Sequence, residues 1–178
     1  SGRASQIFRD ADRKRREAYR LEQQGYDYDK LFAPYLDQEP CRVWTYSTHV
    51  VNMAMAIKQG ALVWRMHGGS PDEFAHRMLD NLFKYHGMAV GHFTGDECVM
   101  GDSPVQGSEL CSVVEAMYSY EQLLSISGDP LWGDYLERLA FNALPATISA
   151  DMWTHQYDQQ TNQVRCARLP EDHVIFGT

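Results

Sequence analysis

Ser108–Pro145, SELCSVVEAMYSYEQLLSISGDPLWGDYLERLAFNALP, is the stretch that decides the fold. From Ser108 to Ser127 the apolar positions Val113, Val114, Met117, Leu123 and Leu124 recur at helical spacing. Gly128-Asp129-Pro130 then reads as a tight turn. Its glycine ends one helix, its aspartate caps the next, and its proline takes the first helical position. The second helix is expected to end near Leu144-Pro145. Two helices joined by such a turn make a helical hairpin.

The same punctuation appears upstream. From Ser47 to Met66 apolar residues again follow a helical period, and Gly68-Gly69 ends the run. Ser70-Pro71-Asp72-Glu73 reads as the next helix start, with Ser70 as N-cap and Pro71 at the first position. That helix is expected to run to about Tyr85 and stop at Gly87. Ala11–Gln24 reads as a polar surface helix, and Tyr26–Pro40 as a loop broken by Pro34 and Pro40. Trp153–Val164 is polar and aromatic, suited to short strands or an extended segment. The chain is expected to be mainly α, built of helical hairpins with short extended segments near the C-terminus. A toroid of hairpins and a plain bundle both satisfy the pattern. No internal boundary is evident, so residues 1–178 are expected to form a single domain.

Composition narrows the function classes. The net charge is -8 and no basic stripe occurs, which argues against nucleic acid as a partner. The run Arg13–Arg16 is flanked by acids and reads as a solvated helix face. No apolar stretch approaches the ~20 residues of a membrane span. Ser1–Arg20 is polar and carries no signal-peptide pattern, which leaves the compartment open and leans to the cytoplasm. The cysteines at 41, 98, 111 and 166 are widely spaced and do not suggest a disulfide scaffold.

Gly91–Gly107 is rich in glycine and acids and lacks periodicity. Long loops of this kind in compact domains are usually functional. With the helix start that follows, it makes Gly95–Glu115 the candidate chemical segment. Asp96, Glu97, Asp102 and Glu109 lie in or beside the loop. Paired carboxyl groups suit glycoside cleavage, which needs a proton donor and a second group across the sugar. Acids in loops are, however, ordinarily just solvated. Glu109 and Cys111 would point about 200° apart in mid-helix. At the first turn both can face one point, where a carboxylate and a thiolate suit a cation such as zinc. The helix dipole would also lower the thiol pKa. The plainer alternative is that Glu109 complements the dipole and Cys111 is a small buried residue. His49, before Val50-Val51, is either a helix cap or a site residue, and Tyr157 and His155 are similarly open.

Together these segments resemble the beta-L-arabinofuranosidase-type glycoside hydrolases, glycoside hydrolase family 127 and its relatives. THVVNMAMAIKQGALVWRMHG at 48–68 is similar to the family's His-bearing helix, and HFTGDEC at 92–98 to its acidic loop. QGSELCSVVEAMYSYEQLLSISGDPLWGDYLERLAFNALPA at 106–146 resembles its Glu-x-Cys helix and hairpin, and DMWTHQYDQQTNQV at 151–164 its Tyr-bearing segment.

The resemblance implies an (α/α)6 toroid and a retaining glycosidase whose nucleophile is a cysteine thiolate held on zinc. By motif position it makes Glu97 the acid/base, with Asp96 as the alternative if the loop aligns the other way. Glu109 and Cys111 become zinc ligands, and His49 and Tyr157, with His155 as a neighbour, substrate contacts. The substrate would be a beta-L-arabinofuranoside or a related plant-type glycoside. The family draws its nucleophile and a further zinc ligand from an adjacent cysteine pair, which these 178 residues do not contain. The chain is therefore expected to be a fragment of a longer parent, about half a toroid, with zinc weakly held or absent. Helix faces left open by a half-toroid would be covered by self-association. The alternative is a non-catalytic helical module that self-associates or binds glycans, or a helical domain whose likeness is only ancestral.

Overall fold

The computed structural model describes residues 33–36, 45–99, 101–161 and 163. The polar helix expected over Ala11–Gln24, the basic run Arg13–Arg16, Cys41 and Cys166 lie outside them. Of the expected Tyr26–Pro40 loop, the described part is a 3-10 turn, Ala33–Tyr35, leading to Leu36. The chain separates into two compact units, Ser1–Pro34 and Tyr35–Thr178. The elements described below belong to the second.

Helix α1 (Val50–Ala56) and helix α2 (Gln59–His67) follow each other where one continuous helix is expected. Lys58, at the junction, donates from Nζ to the Met55 carbonyl at 3.1 Å, the acceptor an unbroken helix would offer to Gln59. Its ammonium is mostly buried, with Ser119 Oγ at 3.2 Å and Glu115 Oε2 at 3.6 Å. Burial lowers the Lys58 pKa, and the Glu115 carboxylate works against that shift. Gly68 ends α2 as expected. Helix α3 (Glu73–His86) begins two residues later than the sequence suggests, with Asp72 rather than Ser70 as N-cap, and stops at Gly87.

Strand β1 (Gly107–Glu109) leads directly into helix α4 (Leu110–Ser127). The helix expected from Ser108 thus starts at Leu110. Gly128 follows in the left-handed region at φ 73°, a conformation that favours glycine. Asp129 Oδ1 then accepts from the Leu131 N–H at 2.9 Å, and Pro130 opens helix α5 (Pro130–Arg138). The hairpin turn is therefore as the sequence reads. The last turns widen to a π-helix over Leu139–Ala143 and close as a 3-10 turn over Pro145–Thr147. Strand β2 (Asp158–Gln160) pairs antiparallel with β1, Glu109 opposite Asp158 and Gly107 opposite Gln160.

The unit is mainly helical, with this one small sheet among the described residues. Helix α4 is the hub and packs on α1, α2 and α5, while α2 packs on α3. Its inner face carries Val113, Ala116, Tyr120 and Leu123, all fully buried. Trp132 of α5 stacks on Tyr120 with ring centroids 6.2 Å apart and planes 18° apart. Each buried side chain of this size contributes about 1.5–3 kcal/mol. Phe141, Met152 and Trp153 are exposed large apolar residues. Among the described residues no helix is long and apolar enough to cross a membrane.

Candidate functional site

Four parts of the chain meet at the N-terminal ends of α1 and α4. The loop residue Glu97 is tied to α1 by its carbonyl, which accepts from the Val50 N–H at 2.9 Å. Val99 N–H donates to the Thr48 carbonyl at 3.0 Å on the same edge. On the other side the Gly95 N–H donates to the Gly107 carbonyl at 2.8 Å, and the Leu110 N–H to the Tyr157 carbonyl at 2.8 Å. The loop is thus held between a helix start and the β1–β2 pair, although it has little regular structure of its own. His86 and His92, both fully buried, help to anchor it. His86 Nδ1 accepts from the Gly101 N–H at 2.9 Å, and His92 Nε2 lies 2.8 Å from Ser112 Oγ. Burial pushes the His92 pKa down to about 3, so the ring is neutral near pH 7.

Glu97 sits at the centre. Its φ is +65°, in the left-handed region that residues with a Cβ seldom occupy. Such a conformation costs on the order of 1–3 kcal/mol and persists where the surroundings over-determine it. Here the Glu97 N–H donates to Glu109 Oε1 while its carbonyl holds α1. The side chain is partly open to solvent. Tyr157 donates its hydroxyl to Glu97 Oε1 at 3.0 Å, and His49 Nε2 lies 3.4 Å from Glu97 Oε2. His49 also caps α1, its Nδ1 accepting from the Asn52 N–H at 3.4 Å. A ring that accepts at Nδ1 carries its proton on Nε2, the atom that faces Glu97. The helix cap expected as one alternative for His49 is present, and the same side chain faces Glu97.

Glu109 is fully buried as N-cap of α4. Its two oxygens accept from the Glu97 N–H and from Cys111 Sγ, the latter at 3.1 Å. Glu109 and Cys111 do face one point at the helix start. The thiol, though, moves opposite to the helix-dipole expectation. Burial, reinforced by the Glu109 carboxylate, pushes its pKa up to about 11. Burial, with Glu109 and Glu97 close by, likewise pushes the Tyr157 hydroxyl above its usual range, so it stays a donor.

Asp96 turns away from Glu97. Its Oδ2 accepts from the Gly107 N–H at 3.3 Å, and its carboxyl pairs with that of Asp158. Burial, then the Asp96 carboxyl beside it, raises the Asp158 pKa to about 9, so Asp158 holds a proton near pH 7. Gly107 makes room for the pair, since a Cβ there would fall onto Asp96 Oδ1 and within 2.7 Å of both Asp158 oxygens. Sequence reasoning missed Asp158, whose only signal is its place next to Tyr157. His155 is exposed and bridges by its backbone to Ile148. Asp102 is an exposed surface acid.

As zinc donors, Glu109 and Cys111 have the right chemistry, one carboxylate oxygen and one sulfur converging, and amount to two of the usual four ligands. Among the described residues, the group of three that could hold a metal ion lies elsewhere, at Asp72, His76 and Asp129. Set against known proteins, the chain matches no protein-family model and no curated protein.

Proposed function

We propose that this chain carries the acid/base half of a retaining glycoside hydrolase acting on beta-L-arabinofuranosides or related plant-type glycosides, in a helical-hairpin toroid of the (α/α)6 kind. The observation that carries the reading is the convergence of His49, Tyr157 and Glu97, with Glu109 and Cys111 one residue contact away. Four separate segments deliver them. Glu97 is the proton donor: partly open to solvent, it protonates the leaving glycosidic oxygen and later takes a proton from water. Tyr157 and His49 fix its two oxygens, and each is placed to meet sugar hydroxyls when substrate displaces these contacts. In the complete protein Glu109 and Cys111 would help to hold a zinc ion, whose charge would keep coordinating thiols deprotonated. The nucleophile is assigned to no residue of this chain.

A non-catalytic glycan-binding or self-associating module is the second reading, and the exposed Phe141, Met152 and Trp153 favour it. One experiment separates the two. In the complete protein of which these residues are part, Glu97→Gln is expected to lower kcat on an arabinofuranoside by about 10²–10⁴-fold. The melting temperature should stay unchanged. Full activity in the variant would remove Glu97 from the chemistry. Binding of arabinosides with no turnover by either protein would leave the module.

A further inference from the structure

Away from that site, the start of α3 faces the turn between α4 and α5. Asp72, the N-cap of α3, and His76 stand one helical turn apart on one face. Asp129, the N-cap of α5, comes from the opposite side. His76 Nε2 is 3.9 Å from Asp72 Oδ2 and 3.9 Å from Asp129 Oδ2, and all three atoms lie within 4.8 Å of one another.

These spacings are open enough to admit an ion among the three groups. A charge-assisted hydrogen bond would close to about 2.7–2.9 Å, and His76 makes neither contact that short. Bonds of about 2.0–2.2 Å to one ion would hold tetrahedral ligands roughly 3.4 Å apart, within about half an ångström of the two His76 distances, while the two aspartates stand within 4.8 Å of each other. Both carboxylates accept a hydrogen bond from the protein, and the imidazole is packed against a ring. Asp129 Oδ1 is engaged by the Leu131 N–H at 2.9 Å, while Oδ2 faces His76. The Trp132 indole N–H donates to Asp72 Oδ2 at 3.5 Å, and the His76 ring lies against the fully buried Trp132 with centroids 4.6 Å apart. Outer contacts of this kind set the direction of metal ligands. Side-chain exposures of 40% for His76, 37% for Asp129 and 20% for Asp72 leave a path for an ion and room for water.

We propose that Asp72, His76 and Asp129 bind a divalent transition-metal ion of the zinc type, with water completing its coordination, and that the ion clamps the start of α3 to the α4–α5 turn. One imidazole with two carboxylates suits zinc, cobalt or nickel, whereas magnesium and calcium prefer oxygen ligands alone. The site shares no residue with the proposed acid/base centre.

The test is titration of the tag-free, chelator-stripped 178-residue chain with Zn²⁺ and, separately, Co²⁺. Zinc is expected to raise the melting temperature, and cobalt to give weak ligand-field bands without a thiolate charge-transfer band. His76→Phe keeps a ring against Trp132, and Asp129→Asn keeps the N-cap. Each should weaken zinc binding about tenfold or more and remove most of the thermal gain. Unchanged affinity in Asp129→Asn, or a thiolate charge-transfer band in the cobalt spectrum, would overturn the assignment.

Discussion

Asp158 shows how much a single side chain can depend on its surroundings. An aspartate in a polar segment is ordinarily exposed and ionised, yet here it faces Asp96 across Gly107 and keeps its proton. The native chain therefore holds a proton that the unfolded chain releases above about pH 4. The stability this provides is fully present below that pH and is lost as the pH rises through the folded value of about 9. Asp158→Asn keeps a donor toward Asp96 and has nothing to titrate. The melting temperature of the natural protein should fall relative to that variant between about pH 5 and pH 9. A difference between the two that stays flat over this range would mean that Asp158 does not hold its proton. Glu97, Glu109 and Cys111 were legible as candidates because acid and thiol types cluster along the sequence. Asp158 was not, because its partner arrives only through strand pairing.

Among the elements, α4 joins the fold to the site: its first turn carries Glu109 and Cys111, and its inner face carries the core. Tyr120 lies fully buried on that face, its ring stacked on Trp132 and on Tyr135. Its hydroxyl has no hydrogen-bond partner among the described residues. An unsatisfied buried hydroxyl costs about 1–3 kcal/mol, so removing it is neutral or favourable. Tyr120→Phe is expected to match or exceed the natural protein in urea denaturation. A loss of more than about 1 kcal/mol would reveal a partner for the hydroxyl. Helix existence and the stops at Gly68, Gly87 and Gly128 were readable, because the apolar period and glycine act locally. The break between α1 and α2 was not. The apolar period runs on through Ile57, and the break depends on where Lys58 finds partners on α4.

For the whole molecule, the proposed glycosidase reading turns on the nucleophile. On that reading Glu97, His49 and Tyr157, which stand together, would give, accept and steer a proton, whereas the 178 residues hold no adjacent cysteine pair. The isolated 178-residue chain is expected to release no arabinose from a beta-L-arabinofuranoside, measured by reducing-sugar assay over a no-protein blank. Measurable release would show that a nucleophile lies within these residues and would undo the thiolate argument. By itself the sequence determined the hairpin of α4 and α5, the capped turn at Gly128-Asp129-Pro130 and the presence of acid and thiol at one helix start. Those follow from local periodicity, capping and backbone preference. Only the tertiary structure decided that His49 and Tyr157 meet on Glu97, that Asp96 pairs with Asp158, and that the Cys111 thiol is pushed up rather than down. Contacts between distant segments and loss of water around buried charges set those outcomes, and neither is written in the spacing of residues along the chain.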